Sequence, residues 1–97
     1  MAKAAVAKKK KVTLSFDGEP GVEVKVAGSF NEWSLDDKKK SKVMKEDKAG
    51  HYSINLFLPL GEHEYKFYSN GEWILDPKVE VKKLNRFGTF NGVITVG

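Results

Sequence analysis

The chain has 97 residues, 40% hydrophobic and 11% aromatic, which suits one small domain with a modest core and leaves little room for two. It holds no cysteine, so disulfides, thiolate metal sites and cysteine nucleophiles are excluded together and a reducing compartment is permitted. The formal charge of +4 and a pI near 9.3 raise nucleic acid as a partner, but residues 1–11 hold five lysines and no acid, while the remainder holds twelve basic and thirteen acidic residues and is close to neutral.

Residues 1–10 read as a basic, disordered tail solvated by its lysines, with an electrostatic tether to a polyanion as the other reading. Lys3 and Lys8 interrupt the short apolar piece there, which makes a poor signal peptide. No stretch approaches the ~20 apolar residues of a membrane span. A cytoplasmic chain with no membrane partner is therefore expected. The domain occupies residues 11–97. Val12, Leu14 and Phe16 alternate with Thr13 and Ser15 in a first strand, and Asp17 to Gly21 has the composition of a turn. Val22, Val24 and Val26 alternate with Glu23 and Lys25 in a second. Asn31 to Lys42 is polar apart from Trp33 and Leu35 and reads as a surface loop, followed by a short edge strand over Val43–Glu46. Tyr52, Ile54, Leu56 and Leu58 form the longest period-2 run.

Glu64 to Pro77 reads as a hairpin turning at Asn70-Gly71, a pair that accepts positive φ at low cost. Tyr65 and Phe67 point one way along it; Glu64, Lys66 and Tyr68 point the other. Asp76-Pro77 ends the hairpin, because proline cannot donate to a ladder. Val79 and Val81 suggest a short strand, Lys82–Phe90 a loop and Val93–Val96 the last strand. With seven or eight short strands and no apolar 3.6-residue period, the chain is expected to be an all-β, antiparallel β-sandwich.

Little in the chain suggests catalysis. His51 and His63 stand alone, metal binding needs more ligands than two distant histidines supply, and no phosphate-cradling glycine loop is present. Neither metal nor cofactor is expected. Glu62 and Glu64 share a strand face and could mimic a carboxylate pair, but the reading favoured on pattern is solvent-facing polarity. The aromatics carry more. Trp33 and Trp73 stand among polar residues, and from pattern alone each divides evenly between capping the core and facing solvent. A surface pair has a natural ligand class, since the C–H face of a pyranose lies flat on an indole while its hydroxyl rim needs donors and acceptors. Lys66 and Asn91 are candidates for that rim, although pattern alone favours Lys66 as an ordinary solvent-facing residue.

Four ordered motifs then resemble a known family: Gly28-Ser-Phe-Asn-Glu-Trp-Ser34, Leu60-Gly-Glu-His-Glu-Tyr-Lys-Phe67, Asn70-Gly-Glu-Trp73 with Asp76-Pro77, and Gly88-Thr-Phe-Asn-Gly-Val-Ile94. Their order and spacing are similar to the glycogen-binding domain of AMP-activated protein kinase β subunits, within carbohydrate-binding module family 48, which includes isoamylase N-terminal domains. The resemblance covers residues 11–97. It implies an immunoglobulin-like sandwich that binds α-1,4-glucan without catalysis. By resemblance, Trp33 and Trp73 stack on consecutive glucose units, Lys66 and Asn91 hydrogen-bond sugar hydroxyls, and Thr89 is a polar neighbour of that asparagine. Phe87 falls where kinase-type domains carry a leucine that presses on the sugar, a departure that puts a larger, flatter ring at the contact. The second reading is a module that docks onto a kinase or a glucan-metabolising enzyme with vestigial sugar binding. Nucleic-acid binding through the tail lysines ranks below both, and an enzyme ranks last.

Overall fold

The computed structural model describes residues 9–97, which form nine strands and one short 3-10 turn. In chain order these are β1 (Lys9–Asp17), β2 (Val24–Gly28), the 3-10 turn (Ser29–Asn31), β3 (Lys42–Val43), β4 (Lys45–Lys48), β5 (His51–Pro59), β6 (Gly61–Ser69), β7 (Glu72–Ile74), β8 (Lys82–Leu84) and β9 (Phe90–Val96). One sheet has the order β1-β5-β4 and the other β3-β2-β6-β9-β8, with β7 paired to β6 beyond the end of β9; every pairing is antiparallel. The all-β sandwich read from the sequence is the fold observed. No helix among the described residues is long and apolar enough to cross a membrane.

The two sheets meet through the residues whose alternation marks the strands. Leu14, Tyr52, Leu56 and Leu58 face inward from the smaller sheet, and Val24, Val26, Tyr65, Phe67 and Val96 from the larger. Phe16 packs tilted on Phe67 with ring centroids 5.1 Å apart, inside the range where aromatic pairs attract beyond their area burial. Tyr52 ties the turn after β1 to this core: its hydroxyl donates to Glu19 O at 2.6 Å and accepts from Val22 N at 3.1 Å. His63 is buried, and its Nε2–H donates to Pro59 O at 2.8 Å, pinning the turn that carries the chain from β5 in one sheet to β6 in the other.

Several boundaries differ from the sequence reading, among them β2, which begins at Val24 rather than Val22, and β9, which begins at Phe90 rather than Val93. β1 begins at Lys9, so two of the lysines assigned to the tail belong to a strand paired with Pro59 and Leu58; the rest of that assignment, residues 1–8, lies outside the described residues. The single edge strand expected at Val43–Glu46 is two strands in different sheets. Met44 is buried between them and donates its N–H to Val24 O at 2.8 Å, so the chain changes sheets at the residue that enters the core. Val79 and Val81 form no strand, because Asp76 folds the chain after Pro77: its Oδ1 accepts from Lys78 N at 2.9 Å and its O from Val79 N at 3.2 Å. Lys82–Leu84, read as loop, is a strand on β9, where its exposed edge position removed any apolar alternation.

Candidate functional site

The outer face of the larger sheet carries the side chains that β6 turns away from the core. Glu64, Lys66 and Tyr68 lie on this face, between β2 on one side and β7 and β9 on the other. The Asn70-Gly71 turn has φ values of 52° and 76°, as its residue types lead one to expect, and it sets Trp73 directly opposite Tyr68. Their rings meet edge to face with centroids 5.0 Å apart. Trp73 is 45% exposed, whereas its neighbour Ile74 packs against the core, so the inward alternative for Trp73 does not hold.

Trp33 arrives from the other side of β6, on the turn that follows β2. Asn31 is buried and organises this turn. Its Oδ1 accepts from Gly28 N at 2.9 Å and its Nδ2 donates to Lys40 O at 3.1 Å. Trp33 N–H then donates to Gly28 O at 2.9 Å. Glu32 and Trp33 both have φ of 57°, two consecutive left-handed residues with side chains, a conformation that costs on the order of 1–3 kcal/mol each and persists only where the surroundings enforce it. The result aims the Trp33 ring at Trp73: centroids 6.2 Å apart, planes at 67°. Gly28 lets the turn sit this close, since a Cβ there would come within 2.2 Å of Glu64 O.

The third side is the loop from Asn85 to Thr89 and the start of β9. Lys66 Nζ donates to Thr89 Oγ1 at 3.0 Å, and Asn91, itself buried, donates from Nδ2 to Glu64 Oε1 at 3.0 Å. Phe87 stands 78% exposed at the loop's tip with the Arg86 guanidinium 5.4 Å above its ring. Trp33, Lys66, Trp73, Phe87, Thr89 and Asn91 all line one open groove of about 820 Å³. Four separate segments supply them. Beneath the groove, Tyr65 donates to Asp76 Oδ2 at 2.5 Å; burial first, and then the Asp76 carboxylate, push its phenol far above the ordinary tyrosine range, so it stays a neutral donor. Among the described residues, no cluster of three or more His, Cys, Asp or Glu is placed to hold a metal ion.

A family model of the glycogen recognition site of AMP-activated protein kinase matches residues 10–97. The chain belongs to that family. It is similar to 5'-AMP-activated protein kinase subunit beta-2 of Homo sapiens, 38% identical over 78 residues that make up 80% of this chain and 26% of that protein. Subunit beta-1 of Bos taurus is 40% identical over 76 residues, 78% of this chain and 25% of that protein. The chain thus spans about a quarter of the length of the curated relatives it matches.

Four further residues of this glycogen-recognition domain line the groove that the sequence reading does not place there: Ser29, Glu64, Asn85 and Arg86. The alternation pattern gives Glu64 and Glu62 alike as solvent-facing polarity, but only Glu64 is in the groove, where it is half-buried against Asn91. The signal for it was its i, i+2 relation to Lys66 on one strand. The signal for Asn85 was the spacing Asn85-x-x-Gly88-Thr89, since an asparagine side chain can close such a loop on its own backbone.

Proposed function

We propose that this domain is a non-catalytic module that holds α-1,4-glucan, whether glycogen, a starch-like polymer or a maltooligosaccharide. The observation that carries the reading is the groove itself, in which two indoles held at 67° face a rim of hydrogen-bonding side chains. Two planes at that angle suit a chain that curves, because successive glucose rings of an α-1,4-glucan turn relative to one another. Trp33 and Trp73 are the stacking surfaces, Lys66, Thr89 and Asn91 address hydroxyls at the sugar rim, and Phe87 contacts the ring that lies over the loop. Membership of a glycogen-recognition family supports the same ligand class. A shallow groove of this kind binds weakly, roughly micromolar to millimolar, since few buried contacts must offset the ordering of a flexible sugar.

An amide titration of the isotope-labelled chain with maltoheptaose, following both indole N–H signals, tests this. Shifts concentrated at Trp33, Lys66, Trp73, Phe87, Thr89 and Asn91 are expected. Silence at millimolar sugar would sink the reading and leave the groove as an inherited surface.

A second role, docking onto a kinase complex or a glucan-metabolising enzyme, draws on the relatives' names as kinase subunits and on Phe57. Phe57 is 63% exposed on β5, opposite Lys11 and facing away from the core. Phe57→Ser should weaken capture of such a partner and leave maltoheptaose binding as it was; partner capture unaffected by the change would remove this surface from consideration.

A further inference from the structure

The side chain of Asn85, in the loop between β8 and β9, makes four hydrogen bonds. Its Oδ1 accepts from the backbone N–H of Phe87 at 2.9 Å and of Thr89 at 3.2 Å, and its Nδ2 donates to Thr89 Oγ1 at 2.8 Å and to Asn91 Oδ1 at 3.0 Å. A backbone N–H can only donate, so the two faces of this amide cannot be exchanged. That one anchor fixes the side chains around it in turn. Thr89 Oγ1 receives a second bond from Lys66 Nζ at 3.0 Å. An ammonium and an amide N–H both lack acceptors, so both lone pairs of the Thr89 oxygen are filled and its own proton is left to donate. The Asn91 carbonyl oxygen faces Asn85, which turns Asn91 Nδ2 to Glu64 Oε1 at 3.0 Å. Glu64 Oε2 has no hydrogen-bond partner among the described residues, and Glu64 lines the groove.

We infer that Asn85 is a positioning residue for the site and that Glu64 is a ligand-contacting acceptor, the two together giving the groove a preset polarity. Donors are offered at Thr89 and Lys66, and an acceptor at Glu64. Neighbouring hydroxyls of an unsubstituted sugar fit this pattern, because one can accept from Thr89 or Lys66 while the other donates to Glu64. The Glu64 acceptor is met only by a group that donates, as a sugar hydroxyl does and an ionised phosphate ester does not. The ligand that satisfies both sides of the groove presents neighbouring donor and acceptor hydroxyls, as an unsubstituted glucan does. This inference rests on the glucan reading above.

The test is a maltoheptaose titration of the whole chain in three forms: unaltered, Asn85→Asp and Glu64→Gln. Asn85→Asp keeps an oxygen for the Phe87 and Thr89 N–H groups, so the loop closes as before. It removes both donors, and the Thr89 hydroxyl turns back onto the introduced carboxylate. Binding about tenfold weaker at an unchanged melting temperature is expected, and for Glu64→Gln, which keeps an oxygen for Asn91 and replaces the free acceptor with a donor, about threefold to tenfold weaker. Binding at unaltered strength in Asn85→Asp would show that Asn85 only closes the loop; unaltered strength in Glu64→Gln would remove Glu64 as an acceptor. Should Asn85→Asp fail to fold, Thr89→Ser and Thr89→Val decide the same point. The valine, which lacks the hydroxyl, is expected to bind more weakly than the serine, which keeps it, and equal binding by the two overturns the preset donor. An unaltered chain that binds no maltoheptaose overturns the glucan reading itself, whereas loss confined to the variants leaves it standing.

Discussion

At the scale of single residues, the exposed position of Trp73 separates its part in binding from its part in the fold. Trp73 rests on Tyr68 at 5.0 Å and on Trp33 at 6.2 Å, yet it leaves nearly half its surface in solvent and the core closes beneath it through Ile74. Trp73→Ala should therefore keep the fold, within about 1.5 kcal/mol for the lost aromatic contact, while retardation on glycogen affinity gels falls by about tenfold or more. Trp33→Ala should weaken retardation equally, since the proposed function gives each indole one stacking surface. Undiminished retardation in both variants would rule out the platform. A second residue-scale expectation concerns acid. His51 Nδ1 lies 2.5 Å from Asp47 Oδ1 and the Ser53 hydroxyl donates to Asp47 Oδ2 at 2.9 Å; the first of these contacts, then the second, hold the Asp47 carboxyl below its usual range. A carboxyl whose folded pKa is depressed favours the folded state while ionised. Its contribution is complete above the unfolded pKa of roughly 4 and is lost as pH falls through the lower folded value. The melting-temperature gap between the unaltered chain and Asp47→Asn should thus be open at neutral pH and close as the solution is acidified below about pH 4. A gap that persists at low pH would show that the ionised carboxylate is not its source.

At the scale of elements, the turn after β2 is where the fold and the site depend on one another. A methyl group at Gly28 would sit 2.2 Å from Glu64 O, a backbone atom of β6 that cannot swing aside, so β2 and β6 must part or the turn must lift. Gly28→Ala is expected to cost about 1–3 kcal/mol, the range of overpacked cores, and to shift the Trp33 indole N–H signal in the free protein. An unchanged melting temperature and indole signal would mean that the turn adapts freely. The sequence shows some of this element and hides the rest. Alternation made β5 and β6 readable because each buries one face, and Asn70-Gly71 made their neighbouring turn readable because few other pairs tolerate its backbone. The inward role of Asn31 left no such mark, since a buried asparagine in a polar stretch looks like any loop residue until its partners, Gly28 N and Lys40 O, are brought to it. The sheet change at Met44 was hidden for a similar reason: β3 and β4 are two and four residues long, too short to show a period. Four motifs held most of the residues that line the groove, but their meeting is a property of topology. Trp33 follows β2 and Thr89 precedes β9, and the two converge over Lys66 because those strands flank β6.

At the scale of the whole molecule, charge separates the glucan reading from a polyanion one. The basic excess belongs to residues 1–11, and the remaining residues carry twelve basic against thirteen acidic groups. Within the groove, Lys66 and Arg86 are accompanied by Glu64, so the surface offers two cations and an anion around aromatic faces. A ligand without charge releases no counterions on binding, and contacts from Lys66 to a hydroxyl are short-range, inside the screening distance at physiological salt. Glycogen retardation should consequently be nearly constant between low salt and about 0.5 M salt. Removal of residues 1–8, which takes Lys3 and Lys8 and leaves Lys9, Lys10 and Lys11, should leave it unchanged. Polyanion binding makes the opposite demand, since the logarithm of its affinity falls linearly with the logarithm of salt in proportion to the charges neutralised. Measuring retardation across that salt range, with and without residues 1–8, distinguishes the two: a flat response in both chains supports stacking on a neutral polymer, and a steep one that weakens on truncation transfers the function to the lysines.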